Sequence, residues 1–325
     1  MKRFTYFFLT AALTTIFMSA KAQETTVTNR YGMKLESKAD GSYGLQKEER
    51  YARILNLSEI SDLYTPYTHQ NDRLTGKLYN KVETVELVYK GNLRIAVDKA
   101  ISDTPSPVMF FCHGGGWARG NFEASRTLTK YLAQNHGITG VRIEYTLAPE
   151  SGANVKVSIQ DVLDAVQYIR DHAAELNIDP SRMGFGGSSA GAHLAACAAM
   201  HTKEAKVFIG YSGIYDLTTA AIVQRSKDQE RIGYFCNRDE KILRAASPVY
   251  LIPKKTSIAA QLFCGTGDIT VEYSQSELFA SELKRHKAKV DLQEYKYYDH
   301  GLNSKSSDKM EDIFFKTVDF VVENL

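Results

Sequence analysis

The chain lacks several features that would each point to a definite function. Four cysteines in 325 residues are too few for a disulfide scaffold. No Cys/His cluster has zinc-ligand spacing and no HExxH occurs, so no metal is expected. No GxGxxG or Walker sequence is present, which leaves no nucleotide and no cofactor to expect. An excess of one charge is missing too: 40 bases stand against 38 acids, a net charge of +2. Nucleic acid and anionic membrane surfaces are therefore poor candidates for partners. Internal repeats, heptads and low-complexity tracts are also absent.

The longest apolar stretch near the start, Phe4 to Met18, falls short of the roughly 20 residues a spanning helix needs. It follows Lys2 and Arg3 and precedes Ala20-Lys21-Ala22. That order reads as a secretory signal over residues 1–22, cut after Ala22. A periplasmic or secreted protein with no stable membrane insertion after cleavage is expected. Cleavage takes three bases from the 40 and no acid, leaving 37 bases, 38 acids and a net charge of −1. The remaining 303 residues have the apolar and charged fractions of a globular chain.

Residues 23–80 are polar and tyrosine-rich with weak periodicity, and read as an extension packing on a main domain over 81–325. Regularity starts with "VETVELVY" and "LRIAV" around Lys90-Gly91-Asn92, an antiparallel hairpin. "PVMFFC" is a continuous apolar run, as expected of a central strand covered on both faces. A helix over about 125–134, a strand "GVRIEY" and a helix whose Val162, Ala165, Val166 and Ile169 share one face come next. A short strand in "SRMGF" precedes a helix through "AGAHLAACAAM". Then come the strand "AKVFIGYS", a polar insertion over about 218–245 that would form a small cap, and two further strand and helix pairs. Such alternation specifies an α/β fold, a mostly parallel sheet with helices on both faces.

In a parallel sheet, ligand sites gather at the carboxyl ends of the strands. Four features fall there. Gly187-Ser188-Ser189-Ala190-Gly191 matches G-x-S-x-G, a strand-to-helix turn that presents a nucleophile. This register selects Ser189. Starting from Gly186 would select Ser188, but the fifth position would then be Ala190 instead of glycine. His113-Gly114-Gly115-Gly116, after "PVMFFC", leaves backbone N–H groups uncovered. Those of Gly114 and Gly115, with that of Ala190, could bind an oxyanion. Asp268 follows a Gly-x-Gly turn in "CGTGDITV", where it could orient a histidine or cap the next helix. His300 in "YYDHG" follows the last strand. The other histidine beyond Asp268 is His286, in a charged helix. His113, Gly116, Trp117 and Ser188 are candidate substrate contacts. His193 reads as a core histidine, Asp216 as a cap or a support of the site, and Arg170 and Asp171 as a solvated helix face.

The motifs "HGGGW", "EYTLAPE", "GGSSAGAHLA", "YSGIYDL", "SPVYLI", "GTGDITVEYSQSELFASEL" and "YDHG" resemble the serine esterases of the α/β-hydrolase superfamily near the hormone-sensitive-lipase type. Within it they are most similar to the bacterial acetyl-xylan and feruloyl esterase-like group. The resemblance runs from about Val82 to the C-terminus. It implies an α/β-hydrolase fold with Ser189 as nucleophile, His300 as base, Asp268 as acid and the His113–Gly116 turn as oxyanion hole. It also implies a secreted carboxylic-ester hydrolase acting on acetyl or feruloyl groups of plant polysaccharides. Two departures from the lipase type stand out: Ser188 replaces the usual aspartate before the nucleophile, and Thr146 replaces a usual arginine. The strand order of this fold would put Cys112 and Cys264 three strands apart. That is roughly 14 Å at about 4.8 Å per strand, beyond the roughly 7 Å that a disulfide spans between Cα atoms.

The partner expected is an acylated carbohydrate or a small ester. A carboxylesterase, amidase or peptidase acting on small soluble substrates is the second enzymatic reading. A catalytically silent binding domain is the reading from another class, and the presence of every catalytic motif weighs against it.

Overall fold

The computed structural model describes residues 27–28, 34–37, 43–45, 81–302 and 307–325. The expected signal peptide and most of the expected extension lie outside the described residues. The chain divides into two units, residues 1–46 and 47–325. In the first, β1 (Val27–Thr28), β2 (Lys34–Ser37) and β3 (Tyr43–Leu45) pair antiparallel in that order.

The second unit holds an eight-stranded sheet. Its strands are β4 (Thr84–Lys90), β5 (Leu93–Asp98), β6 (Ser106–Cys112), β7 (Thr139–Ile143), β8 (Ile178–Ser188), β9 (Ala205–Tyr211), β10 (Ala259–Gly265) and β11 (Lys289–Tyr295). Their spatial order is β11-β10-β9-β8-β6-β7-β5-β4. The expected hairpin is β4 and β5, paired antiparallel. From β7 to β11 every neighbour pair is parallel. This is the α/β-hydrolase arrangement. β6 is buried along its whole length, which explains its unbroken apolar run.

Two strand expectations change. β8 is longer than "SRMGF", because Ile178 already pairs with Ser106 before a register shift brings Met183 opposite Val108. β7 stops at Ile143, short of "EY", because Tyr145 leaves the sheet to pack under the next turn.

A buried ion pair ties the antiparallel end to the parallel part. Arg142 on β7 donates to Asp98 on β5 through Nε (2.9 Å) and Nη2 (3.2 Å). The hydroxyls of Thr84 and Thr129 donate to the same carboxylate at 2.6 Å each. Thr129 lies in helix Arg126–His136, so this carboxylate joins three strands to one helix. All four cysteines are free, and three strand positions separate Cys112 on β6 from Cys264 on β10. No helix of the described residues is long and apolar enough to cross a membrane.

Candidate active site

Each element of the candidate site hangs from the carboxyl end of a strand. β8 delivers Ser189, whose φ of 54° and ψ of −121° are those of a strained turn. The glycines on either side make that turn feasible. A Cβ on Gly191 would stand 2.1 Å from the Cys112 carbonyl oxygen and 2.4 Å from that of His113. A Cβ on Gly187 would meet the Gly191 carbonyl at 2.5 Å. The helix Ala190–His201 can therefore leave the strand abruptly and press against the end of β6.

The turn after β10 supplies Asp268, and the turn after β11 supplies His300. His300 Nε2 lies 2.9 Å from Ser189 Oγ, and His300 Nδ1 lies 2.7 Å from Asp268 Oδ2. The other carboxylate oxygen of Asp268 accepts from the backbone N–H groups of Thr270 (2.8 Å) and Val271 (2.9 Å). Asp268 thus stabilises its own loop with one oxygen and holds the histidine with the other. With Asp268 accepting, Nδ1 carries the proton and Nε2 is free to accept from the serine. Asp268 is buried and His300 is about a quarter exposed, so the pair is shielded but open to a substrate.

The turn after β6 lies against Ser189: a Cβ on Gly114 would be 3.5 Å from Ser189 Cβ. The N–H groups of Gly114, Gly115 and Ala190 donate to no acceptor among the described residues. For Ala190 this follows from its place as the first residue of a helix. Ser188 is exposed beside Ser189, and Gly116 lies partly exposed at the rim of the same turn.

Two expected substrate contacts are corrected. Trp117 is fully buried; its Nε1–H donates to His193 Nδ1 at 3.2 Å, and its ring meets Phe235 edge-on at 4.9 Å. It anchors the glycine turn and has no face left for a ligand. His113 is likewise buried and stacks on Tyr145 with ring centroids 4.3 Å apart. Its Nδ1–H donates to the Gly114 carbonyl at 2.8 Å. In a trans peptide the C=O and the next N–H point opposite ways, so this bond turns the Gly115 N–H away from the imidazole. His113 holds the peptide between Gly114 and Gly115 and has no face open to a substrate.

His193 is a core histidine, as expected. Its Nε2–H donates to the Ala246 carbonyl at 2.7 Å while Nδ1 accepts from Trp117. Burial lowers the pKa of His113 and of His193 to about 4, and only the neutral ring of His193 can serve both its partners. Sequence reasoning missed this support, although His193 stands four residues after Ser189 in the elbow helix. Asp216 is a cap: its Oδ1 accepts from Thr218 N–H and Oγ–H.

The insertion forms short helices, among them Gln229–Tyr234 and Glu240–Ala245. Tyr234 and Phe235 are buried, and the Tyr234 hydroxyl donates to Ser158 Oγ at 2.8 Å. This segment packs on the glycine turn through Trp117.

Comparison with known proteins agrees with this architecture. The BD-FAE family model matches residues 93–283. The thermophilic esterase 2 of the planctomycete Thermogutta terrifontis superposes with a TM-score of 0.62 at 24% identity, over 75% of this chain and 93% of that one. The same enzyme with propionate bound gives 0.63 at 23% identity, over 75% and 95%. Its form phosphonylated by sarin gives 0.63 at 23%, over 74% and 94%. At these identities the likeness is one of fold.

Proposed function

The chain belongs to the BD-FAE family, and on that premise we propose that it is a serine carboxylesterase exported to the periplasm or beyond, deacylating plant polysaccharides that carry acetyl or feruloyl esters. The observation that carries the reading is the unbroken chain of contacts from Ser189 Oγ through His300 to Asp268, beside three N–H groups without acceptors among the described residues.

Ser189 Oγ attacks the ester carbonyl carbon while His300 Nε2 takes its proton. The carbonyl π pair moves onto oxygen, where the N–H groups of Gly114, Gly115 and Ala190 bind it. Asp268 stabilises the imidazolium without taking its proton. Collapse breaks the bond to the alcohol oxygen, which leaves with the proton from His300. Water then repeats the sequence on the acyl-serine, and the acid departs.

A sugar-bearing alcohol is supported by the rim beside the acid and base. Ile269 is fully exposed and Tyr297 is 81% exposed, next to Asp268 and three residues before His300. Exposed apolar and aromatic surface at a site of chemistry suits the faces of sugar rings. The second reading, a carboxylesterase for small esters, is supported by the solved relative that binds propionate.

The test compares a chain-length series of p-nitrophenyl esters with acetylated xylan and methyl ferulate, using mature protein and Ser189→Ala. Hydrolysis by wild type, with a fall of about 10³-fold or more in the variant, is expected. Equal activity in a folded Ser189→Ala would refute the assignment of the nucleophile.

A further inference from the structure

We propose that Arg231 binds a carboxylate carried by the ester substrate, which makes the enzyme selective for acidic esters; the inference rests on the esterase reading above. Arg231 lies in the short helix Gln229–Tyr234, one turn before Tyr234 and so on the same side of that helix. Tyr234 and Phe235 fix its position through Ser158 and Trp117. One guanidinium nitrogen, Nη2, comes within 3.4 Å of where a Cβ on Gly116 would stand. Gly116 stands two residues after Gly114, whose added Cβ would be 3.5 Å from Ser189 Cβ, so the cation lies against the far end of the turn that borders the nucleophile proposed above.

That cation is partly buried and has no ion pair or side-chain hydrogen bond among the described residues. The acids on its own helix are committed or point elsewhere. Asp228 accepts from the Glu230 N–H as the helix cap, and Glu230, adjacent in sequence, projects from a different side. A guanidinium removed in part from water and left without a partner is costly. A substrate carboxylate would satisfy it with a forked, charge-assisted pair. A second guanidinium residue, Arg119, stands exposed near the same turn, its Cγ 3.1 Å from where a Cβ on Gly115 would be. It too has no partner among the described residues, so the mouth of the site carries two uncompensated positive charges.

The carboxylate could belong to the acyl group, as in a dicarboxylic half-ester, or to the alcohol, as in a uronic acid. Two probes separate these sources: mono-p-nitrophenyl succinate carries it on the acyl side, and the butyrate ester of a carboxylated nitrophenol carries it on the leaving group. Each is compared with p-nitrophenyl butyrate as the ratio of kcat/KM values. In Arg231→Gln one of the two ratios should fall about fivefold to tenfold, mainly through KM, as expected for a partly buried charge pair. Arg231→Lys should recover part of it. For wild type the same ratio should fall as sodium chloride is raised, because screening weakens the pair.

Ratios that match between wild type and Arg231→Gln in both arms, or a wild-type ratio indifferent to salt, would overturn the inference while butyrate turnover upholds the esterase. Absence of turnover on every ester would overturn both.

Discussion

Replacing Asp268 by asparagine changes one atom and should remove most of the activity without unfolding the protein. The carboxylate now accepts three hydrogen bonds, one from His300 and two from the N–H groups of Thr270 and Val271. An asparagine side chain has one accepting oxygen. Turned towards the loop, it keeps both backbone bonds and presents its NH₂ to His300. Turned towards His300, it sets an NH₂ group against two N–H donors. Hydrogen bonds to an uncharged amide oxygen are worth about 0.5–1.5 kcal/mol each, so the second arrangement forfeits about 1–3 kcal/mol and sets donor against donor. The amide therefore keeps its oxygen on the loop. His300 must then accept at Nδ1, its proton moves to Nε2, and it can no longer take a proton from Ser189. The expected fall in kcat is about 10³ to 10⁴, the range for a triad histidine held in the wrong tautomer. Steady-state hydrolysis of p-nitrophenyl acetate measures it, with thermal melting as the control for folding. A fall of less than tenfold in a protein that melts like wild type would refute the assignment of Asp268 as the orienting acid.

Gly191→Ala should cost about 3 kcal/mol or more, because the added methyl meets two backbone oxygens that cannot swing away; an unchanged melting temperature would show that the elbow relaxes. Arg142→Ala strands the buried Asp98 carboxylate and should cost about 3–5 kcal/mol in urea unfolding, and a loss below about 1 kcal/mol would contradict the pairing. His113 and His193, held neutral by burial with pKa values lowered to about 4, take up protons first in the unfolded chain. Stability should therefore fall as pH drops from about 6.5 towards 4 and level off below, by about 3 kcal/mol per histidine. If the acid-side slope of the denaturation midpoint survives in His193→Gln undiminished, His193 is not its source.

The elements that carry the candidate site were legible because each rests on backbone geometry that only certain residues allow. Gly187 and Gly191 announce a turn too tight for side chains, and the strands before Gly114, Ser189, Asp268 and His300 place all four at one end of a parallel sheet. What could not be read was where side chains of mixed character point. Trp117 and His113 sit in a motif at the mouth of the site, yet packing against Phe235 and Tyr145 turns both inward. The strand "GVRIEY" alone does not disclose that Arg142 is buried, because its partners Asp98, Phe122 and Glu123 come from other segments. The insertion reads as polar from its composition, but two adjacent aromatics, Tyr234 and Phe235, decide how it packs.

Those inward residues bear on a question that the proposed mechanism raises: what would keep the proposed oxyanion donors aimed while no oxyanion is bound. Backbone N–H groups without acceptors would gain by turning towards one another's carbonyls or into water, and a glycine turn offers little resistance. Here the turn is clamped at both ends by imidazoles. His113 holds the Gly114 carbonyl, while His193, rooted in the helix that follows Ser189, holds Trp117. Because His193 also donates to the Ala246 carbonyl just beyond the insertion, one buried ring links glycine turn, elbow helix and insertion. Preorganisation of this kind lets donors act on a developing charge without rearranging at the moment of reaction. The histidines reach the chemistry only through the backbone they hold, so their loss should show in kcat more than in KM.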